Sequence, residues 1–497
     1  MIQAIGIIGA GFAGVTAAKV LKSFGYDATV FEKEADVGGV WSASRCYPGL
    51  TTQNPKRTYE LSDYPMPNDW PEWPYGEQVQ EYIQSYTEAF DIADDILLNT
   101  EVTNAKLDWE SETWTVTARR RGDGGSDEEI VQKFDLLIVA NGIFSIPSIP
   151  PFKGTDDFLS AGGEIRHTSE FNDPEDARDK HVLVVGYGKS SCDVANATVD
   201  VSKSTIMVAR NLIWKIPKLI GNLVNLKYIF LTRLSEALFP YIRMKGFEKF
   251  LQGPGVPLRN GMMNSLEWII EKQLGLTKVG LHPDKKLETI ARSTVSMVTI
   301  GFYENIAAGR LTVKKGAEIT ALRPGEAELS TGETLPADLI VCGTGWKQLV
   351  PFLDEDIVAR VTDARGNFRL YQSIIPLGVP RLVFNGYNSS FFSQLNAEIG
   401  ALWITEYIKG GVQLPSEDYM NRWIDERLAW MEARTDGKHS KGTNIIPFSV
   451  HQMDELLKDI NLELSALVRF KQWLAPVVGS DFKNLTKRLQ KRHGITT

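Results

Sequence analysis

Residues 4–14 read Ala4-Ile5-Gly6-Ile7-Ile8-Gly9-Ala10-Gly11-Phe12-Ala13-Gly14, an apolar run that breaks into a turn with glycines at fixed spacing. The run predicts a strand over Ala4–Ile8, and the sequence after the turn predicts a helix over Ala13–Phe24 and a second strand over Ala28–Glu32. Placed between strand and helix, each glycine of this G-x-G-x-x-G has its own reason. Gly9 permits the tight turn, Gly11 lets the backbone approach a pyrophosphate, and Gly14 lets helix and strand pack closely, with Ala10, Phe12 and Ala13 filling the loop between them. Glu32 follows Gly9 by 23 residues, where an acid accepts hydrogen bonds from ribose hydroxyls.

The same grammar returns in mid-chain. His181–Val185 is a β-branched run, Gly186-Tyr187-Gly188-Lys189-Ser190-Ser191-Cys192-Asp193 supplies the turn, and a helix near Ser190–Ala197 and a strand over Ser204–Ala209 follow. Ser191 stands where the third glycine would be and is small enough for close packing. Arg210, 24 residues after Gly186, stands where an acid would otherwise read a free ribose. An arginine there neutralises a 2′-phosphate, which favours NADPH over NADH. Two units with different ribose readers suggest a flavin in the first and a nicotinamide in the second. The expected fold class is α/β, with two Rossmann-like dinucleotide-binding domains, a helical insertion and a helical C-terminal region.

Working outward, Gln53–Thr100 is rich in Pro, Trp and Tyr, and alternating strands are predicted around Val102–Leu107 and Thr113–Ala118, with an exposed turn at Gly122–Ser126. Aromatic residues such as Trp70, Trp73 and Tyr75 are read as packing. A buried-type strand at Leu136–Ala140 has a near copy at Leu339–Cys342, and Pro147–Pro151 reads as an extended linker. The expected division is residues 1–165 for the first part of the FAD domain, 166–212 with 295–345 for the NADPH domain, 213–294 for the helical insertion, and 346–497 for FAD-domain completion and C-terminal helices. Within the insertion, Leu219–Tyr241 is read as a buried helix pair, with a hydrophobic mouth or an interfacial membrane contact as the alternatives.

Composition sets the outer bounds. Over 497 residues, 43% hydrophobic and 23% charged side chains describe an ordinary globular protein, and a length of this size predicts two or three domains. A net charge of −8 argues against general nucleic-acid affinity. Cys46, Cys192 and Cys342 have no paired spacing, and the six histidines (His167, His181, His282, His439, His451 and His493) have no metal-ligand spacing, so neither disulfides nor a metal site is expected. The N-terminus has no signal-peptide pattern. Charged residues interrupt the apolar stretch Leu219–Leu251, and Asp481–Arg488 is too polar for a tail anchor, so a soluble, cytoplasmic protein without a transmembrane segment is expected. A homo-oligomer is left open.

Glu32-Lys33 followed by Gly38-Gly39-Val40-Trp41, then Phe152-Lys153-Gly154 and His167-Thr168-Ser169-Glu170-Phe171, resembles the flavin-containing monooxygenases and the related Baeyer–Villiger monooxygenases, whose fingerprint is F-x-G then H-x-x-x-(F/Y). Twelve residues separate Gly154 from His167, a longer gap than the family's. Asp135–Gly142 and Asp338–Gly345, with Thr344 and Gly345, resemble the segments that return the chain between domains. Thr51–Pro65 resembles the region that sets an asparagine beside flavin and nicotinamide. The resemblance therefore implies a catalytic role for Asn54, a lesser contact for Gln53, and cofactor contacts at Lys33, Gly39, Val40, Trp41 and Val102; read from the residues alone, Asn54-Pro55 suits an Asx-turn. Tyr47-Pro48-Gly49 is similar instead to the Baeyer–Villiger branch, against Phe171 at the end of the fingerprint.

What the resemblance implies is an enzyme in which NADPH reduces FAD and a flavin C4a-hydroperoxide passes one oxygen atom from O2 to a soft nucleophile. The substrate would be the amine nitrogen or thioether sulfur of a small molecule. The alternatives are a ketone-oxidising Baeyer–Villiger enzyme and an uncoupled flavoprotein that consumes NADPH without oxygenating anything.

Overall fold

The computed structural model describes residues 2–122, 126–292, 296–435 and 441–495. Two runs that the sequence marks as near copies, Leu136–Val139 and Leu339–Cys342, are buried along their whole length. Strands covered on both faces read as continuous apolar runs, and each of these is an inner strand of a five-stranded sheet.

The first sheet runs Leu382–Phe384, Leu136–Val139, Ala4–Ile8, Asp27–Phe31, Ile96–Leu97, with every neighbour parallel. The second runs Glu164–His167, Leu339–Cys342, His181–Val185, Ser204–Ala209, Leu311–Lys315, again all parallel. The last four positions of the two orders correspond, whereas the edge strand Leu382–Phe384 comes last in the chain for its sheet and the edge strand Glu164–His167 comes first for its own. Each chain half adds a three-stranded antiparallel meander: Thr100–Asp108, Thr113–Arg121 and Asp127–Phe134 in one, Ile319–Arg323, Glu326–Leu329 and Thr334–Pro336 in the other.

Boundaries follow the sequence reading closely in the two βαβ units. The helices span Phe12–Ser23 and Lys189–Thr198, and the strand before Glu32 ends at Phe31. The division at 165/166 needs correction, because it cuts Glu164–His167, a strand that pairs wholly with the second sheet through Leu339–Cys342. Asp127–Phe134 was not expected to be a strand. It is mostly exposed and opens on Asp127-Glu128-Glu129, so there is no apolar alternation to read. Gly122 N–H donates to Ser126 O at 3.1 Å, and residues 123–125 of the expected turn lie outside the described residues, as does His439.

The insertion contains a long helix, Val256–Leu274, but Leu219–Tyr241 is not a buried helix pair. Leu219–Ile220 and Val224–Asn225 form an antiparallel hairpin, followed by the short helices Lys227–Phe230 and Arg233–Ala237. Gly221 and Asn222 both take positive φ, 60° and 59°. That is the conformation of a tight hairpin turn, and it overrides the apolar content on either side.

Two chain crossings join the halves, where Ile146–Pro147 pairs antiparallel with Trp346–Lys347. Just beyond, Gly154 has φ +82° and a Cβ there would lie 2.2 Å from Leu322 O. The fingerprint glycine is thus a close approach to the second meander, and Phe171, the fingerprint's last residue, is fully buried. No helix among the described residues is long and apolar enough to cross a membrane.

Candidate functional site

Both glycine turns sit at the carboxyl end of a parallel sheet, where ligands bind in open α/β folds. In the first, Gly9 takes φ +105°, and a Cβ on Gly14 would lie 1.8 Å from Gly9 O, so the helix can approach only as glycine. A Cβ on Gly39 would lie 3.1 Å from Gly11 Cα, so these two backbones also pack directly. Gly38 N–H donates to Ala10 O at 3.0 Å. The Glu32 carboxylate accepts from Ala10 N–H at 2.7 Å and from Glu34 N–H at 3.0 Å. Burial raises its pKa above the usual carboxylate value, and the two backbone hydrogen bonds pull the other way. Phe12 packs edge-on against Tyr59, and Ala13 O accepts from Asn385 Nδ2 at 2.9 Å.

In the second turn Gly186 takes φ +115°. Ser191 Oγ donates to Gly343 O at 3.3 Å, and a Cβ on Gly186 or Gly343 would come within 2.8 Å or 2.0 Å of that hydroxyl. At this position the second unit has room for a serine side chain, where the first admits only Gly14. Neither helix has a side-chain cap at its start, where Gly11 and Gly188 stand. Among the described residues no side chain bonds the first-turn N–H groups of either helix, which leaves them open to an anion, as a pyrophosphate requires.

A cavity of about 1050 Å³ opens over the second turn. Its wall includes Val40, Trp41, Gln53, Asn54, Gly186, Gly188, Lys189, Ser190, Arg210, Thr344 and Gly345, which the sequence had singled out from distant parts of the chain. Asn54 is buried, its Nδ2 donating to Phe391 O at 2.5 Å. Gln53 Oε1 accepts from Met297 N–H at 3.2 Å. Thr344 Oγ1 donates to Ser148 O, and Gly345 O accepts from Ser148 N–H at 3.0 Å and lies 3.1 Å from His167 Nε2. Arg210 is 72% exposed, with Glu318 3.7 Å away.

Other expected contacts are placed differently. Gly9–Gly14, Glu32 and Gly39 lie off this wall, in the adjoining first turn. Lys33 points to solvent beside Glu34, at 3.8 Å. The Val102 side chain belongs to the core with Ile8 and Phe31, because its strand alternates inward at that position. Ser191 and Asp193 lie behind the wall. Asp193 accepts from Lys189 and from Thr299 Oγ1; burial pushes its carboxyl up, while Lys189 opposes that shift.

Several wall residues carried no motif. Arg45 lies 4.5 Å over the Trp346 ring and donates to Phe144 O at 2.7 Å. Leu226, Phe230 and Leu231 come from the insertion and make part of the wall apolar. Lys215 is fully buried behind the second turn, donating to Tyr187 O at 2.6 Å and Ser296 Oγ at 3.0 Å, and burial pushes its ammonium pKa down. A lysine inside the run Ile213-Trp214-Lys215-Ile216 was the signal available for it.

Comparison with known proteins supplies an independent reading. The family model described as flavin-binding monooxygenase-like matches residues 2–471. Flavin-containing monooxygenase 1 of Rattus norvegicus is 27% identical over 448 residues, covering 86% of this chain and 77% of the relative. Among solved structures, S-allyl-L-cysteine S-oxygenase from Allium sativum is similar with a TM-score of 0.63 at 19% identity, covering 99% of this chain and 94% of that one. A steroid monooxygenase bound to NADP is similar with a TM-score of 0.68 at 18% identity, covering 96% and 99%.

Proposed function

The chain belongs to the flavin-binding monooxygenase-like family, and from that premise we propose that it is an FAD- and NADPH-dependent monooxygenase. In this reading one oxygen atom of O2 passes to an amine nitrogen or thioether sulfur of a small organic molecule. The observation that carries it is two uncapped helix starts at glycine turns, the second of them opening on a cavity whose wall brings together Asn54, Lys189 and Arg210. FAD suits the first unit, where Glu32 is fixed as a ribose acceptor and Gly11 and Gly39 leave backbone exposed to a pyrophosphate. NADPH suits the second, where Arg210 offers a guanidinium for a 2′-phosphate. The first sheet with 382–384, and the second with its meander, are the two dinucleotide domains.

When bound, the flavin supplies the oxygen chemistry, and the chain supplies position and shielding. Lys215 and Ser191 hold the second turn from behind, through Tyr187 O and Gly343 O. The Lys189–Asp193 pair keeps the lysine at the cavity wall beside Ser190. Asn54 is oriented by its Nδ2 bond to Phe391 O, which leaves its Oδ1 with no hydrogen bond within the chain among the described residues. It can therefore accept from a donor in the cavity. Leu226, Phe230 and Leu231 exclude water from the approach and favour an apolar substrate.

Steady-state turnover under ¹⁸O₂ tests the proposal. We expect NADPH, and not NADH, to be consumed in step with labelled sulfoxide or N-oxide from a thioether and a tertiary amine. Hydrogen peroxide equal to the NADPH consumed, with no labelled product, would overturn it in favour of an uncoupled flavoprotein. Labelled ester from a ketone, with the thioether and the amine left unchanged, would move it to the Baeyer–Villiger branch.

A further inference from the structure

The Ala466–Leu474 helix lies on the surface with its apolar side turned outward. Leu467, Phe470 and Leu474 are 79%, 63% and 72% exposed, and their spacing puts them on one face. The helix is held by Gln472, its one buried residue, whose Oε1 accepts from Arg233 Nε at 2.9 Å. Trp473 meets Phe247 edge-on at 6.1 Å, and Phe247 stacks on Phe250 at 5.5 Å. Both phenylalanines are exposed, so they extend the apolar surface onto the neighbouring Phe247–Leu251 helix. Single exposed apolar residues are ordinary, whereas a contiguous group marks an interaction surface.

The helix that follows, Leu485–Arg492, gives a second and independent observation. It buries Leu485, Thr486, Leu489 and Gln490 and turns Lys487, Arg488, Lys491 and Arg492 outward, with Lys483 exposed just before it. The two helices adjoin. Lys471 Nζ and Gln472 Nε2 hold Asp481 at 2.8 and 2.9 Å, and Arg488 Nη1 reaches the carbonyls of Leu462 and Glu463 at 3.4 Å, just ahead of the first helix. Residues 466–495 hold seven Lys and Arg against one acid, Asp481, a local +6 in a chain of net −8, so the remainder carries −14. Lys483, Lys487 and Lys491 make no ion pair among the described residues.

We propose that this face docks on an anionic lipid surface. Leu467, Phe470 and Leu474 would enter the boundary between headgroups and acyl chains, and Lys483, Lys487 and Lys491 would neutralise lipid phosphates. Charge selects this occupant over a second copy of the chain, since self-association through the face would bring two +6 segments together. The apolar triad selects it over a nucleic acid, which has no use for three outward aliphatic and aromatic side chains.

Flotation of the full chain with vesicles tests the proposal. Phosphatidylcholine vesicles containing about one-third phosphatidylglycerol should carry the protein up, and pure phosphatidylcholine vesicles should not. Lys487→Ala should weaken binding about fivefold, the equivalent of ~1 kcal/mol per surface charge. Leu467→Ser with Phe470→Ser and Leu474→Ser should abolish it while leaving NADPH turnover and melting temperature unchanged. No flotation with either vesicle, or flotation that survives the triple substitution, would overturn the proposal. So would a concentration-dependent dimer that Phe470→Ser dissociates, which would assign the face to a second copy.

Discussion

The first and second dinucleotide units share the order of four parallel strands and differ in how they are closed. In the first, the helix meets the turn through Gly14 with no room for a Cβ, and the proposed ribose reader is Glu32, buried and fixed by two backbone N–H groups. In the second, a serine hydroxyl fills the same place, and the proposed ribose reader is an arginine in solvent. A buried, backbone-fixed reader suits a cofactor that stays. An exposed one on a long side chain suits a cofactor that must enter and leave in each turnover, because its bond is screened by water and salt.

The contrast breaks most visibly at the third glycine position. Gly14→Ala would push a methyl group into Gly9 O, a backbone atom that cannot turn aside. The expected cost is on the order of 3 kcal/mol, with loss of flavin absorbance from the purified protein. Ser191→Ala removes only a 3.3 Å hydrogen bond and should cost about 1 kcal/mol, with flavin content unchanged. Thermal melting and the flavin-to-protein absorbance ratio check both. Equal effects would mean that the two turns are equally tight.

How much of this was legible follows from the same two places. Gly9 and Gly14 were legible in plain sequence, because backbone closeness demands glycine, and the buried acid Glu32 stood at the spacing expected after them. The parallel strands Ala4–Ile8, Leu136–Val139, His181–Val185 and Leu339–Cys342 were legible because burial on both faces leaves uninterrupted apolar runs, whereas Glu164–His167, half-buried and charged, left none. Lys215, Arg45 and the Leu226–Leu231 wall were not, since each acts across a distance in the chain that no local pattern encodes. The Leu219–Tyr241 stretch misled because its apolar content resembled a helix pair, whereas the Gly221-Asn222 turn decided the local structure. The Val102 side chain packs inward because its place in the strand alternation fixes which way it points.

A smaller effect sharpens the contrast between the readers. Arg210→Ala should raise KM for NADPH about tenfold, the loss of one charge-assisted phosphate contact, with kcat and flavin content little changed and KM for NADH unmoved. The penalty should shrink at high salt, because the guanidinium is 72% exposed. Initial rates with the two nicotinamides at low and high ionic strength check it. A fall in kcat without a change in KM would place Arg210 outside the 2′-phosphate site.

The smallest effect concerns the buried reader and reports on the fold itself. Burial raises the Glu32 pKa above its ordinary value of 4.5, and the hydrogen bonds from Glu34 and Ala10 offset only part of that shift. An acid whose folded pKa is raised binds its proton more tightly when folded. Its contribution to stability is therefore fully present below about pH 4.5 and is lost as pH rises through the folded value. Glu32→Gln keeps the shape and cannot ionise, so the flavin-free variant should gain in melting temperature relative to the flavin-free wild type as pH rises from 4.5, then hold a constant difference. Parallel melting curves across that range would show that Glu32 ionises as it does in water. The first ribose reader would then be as open to solvent as Arg210, and the difference between the two units would reduce to Gly14 and Ser191.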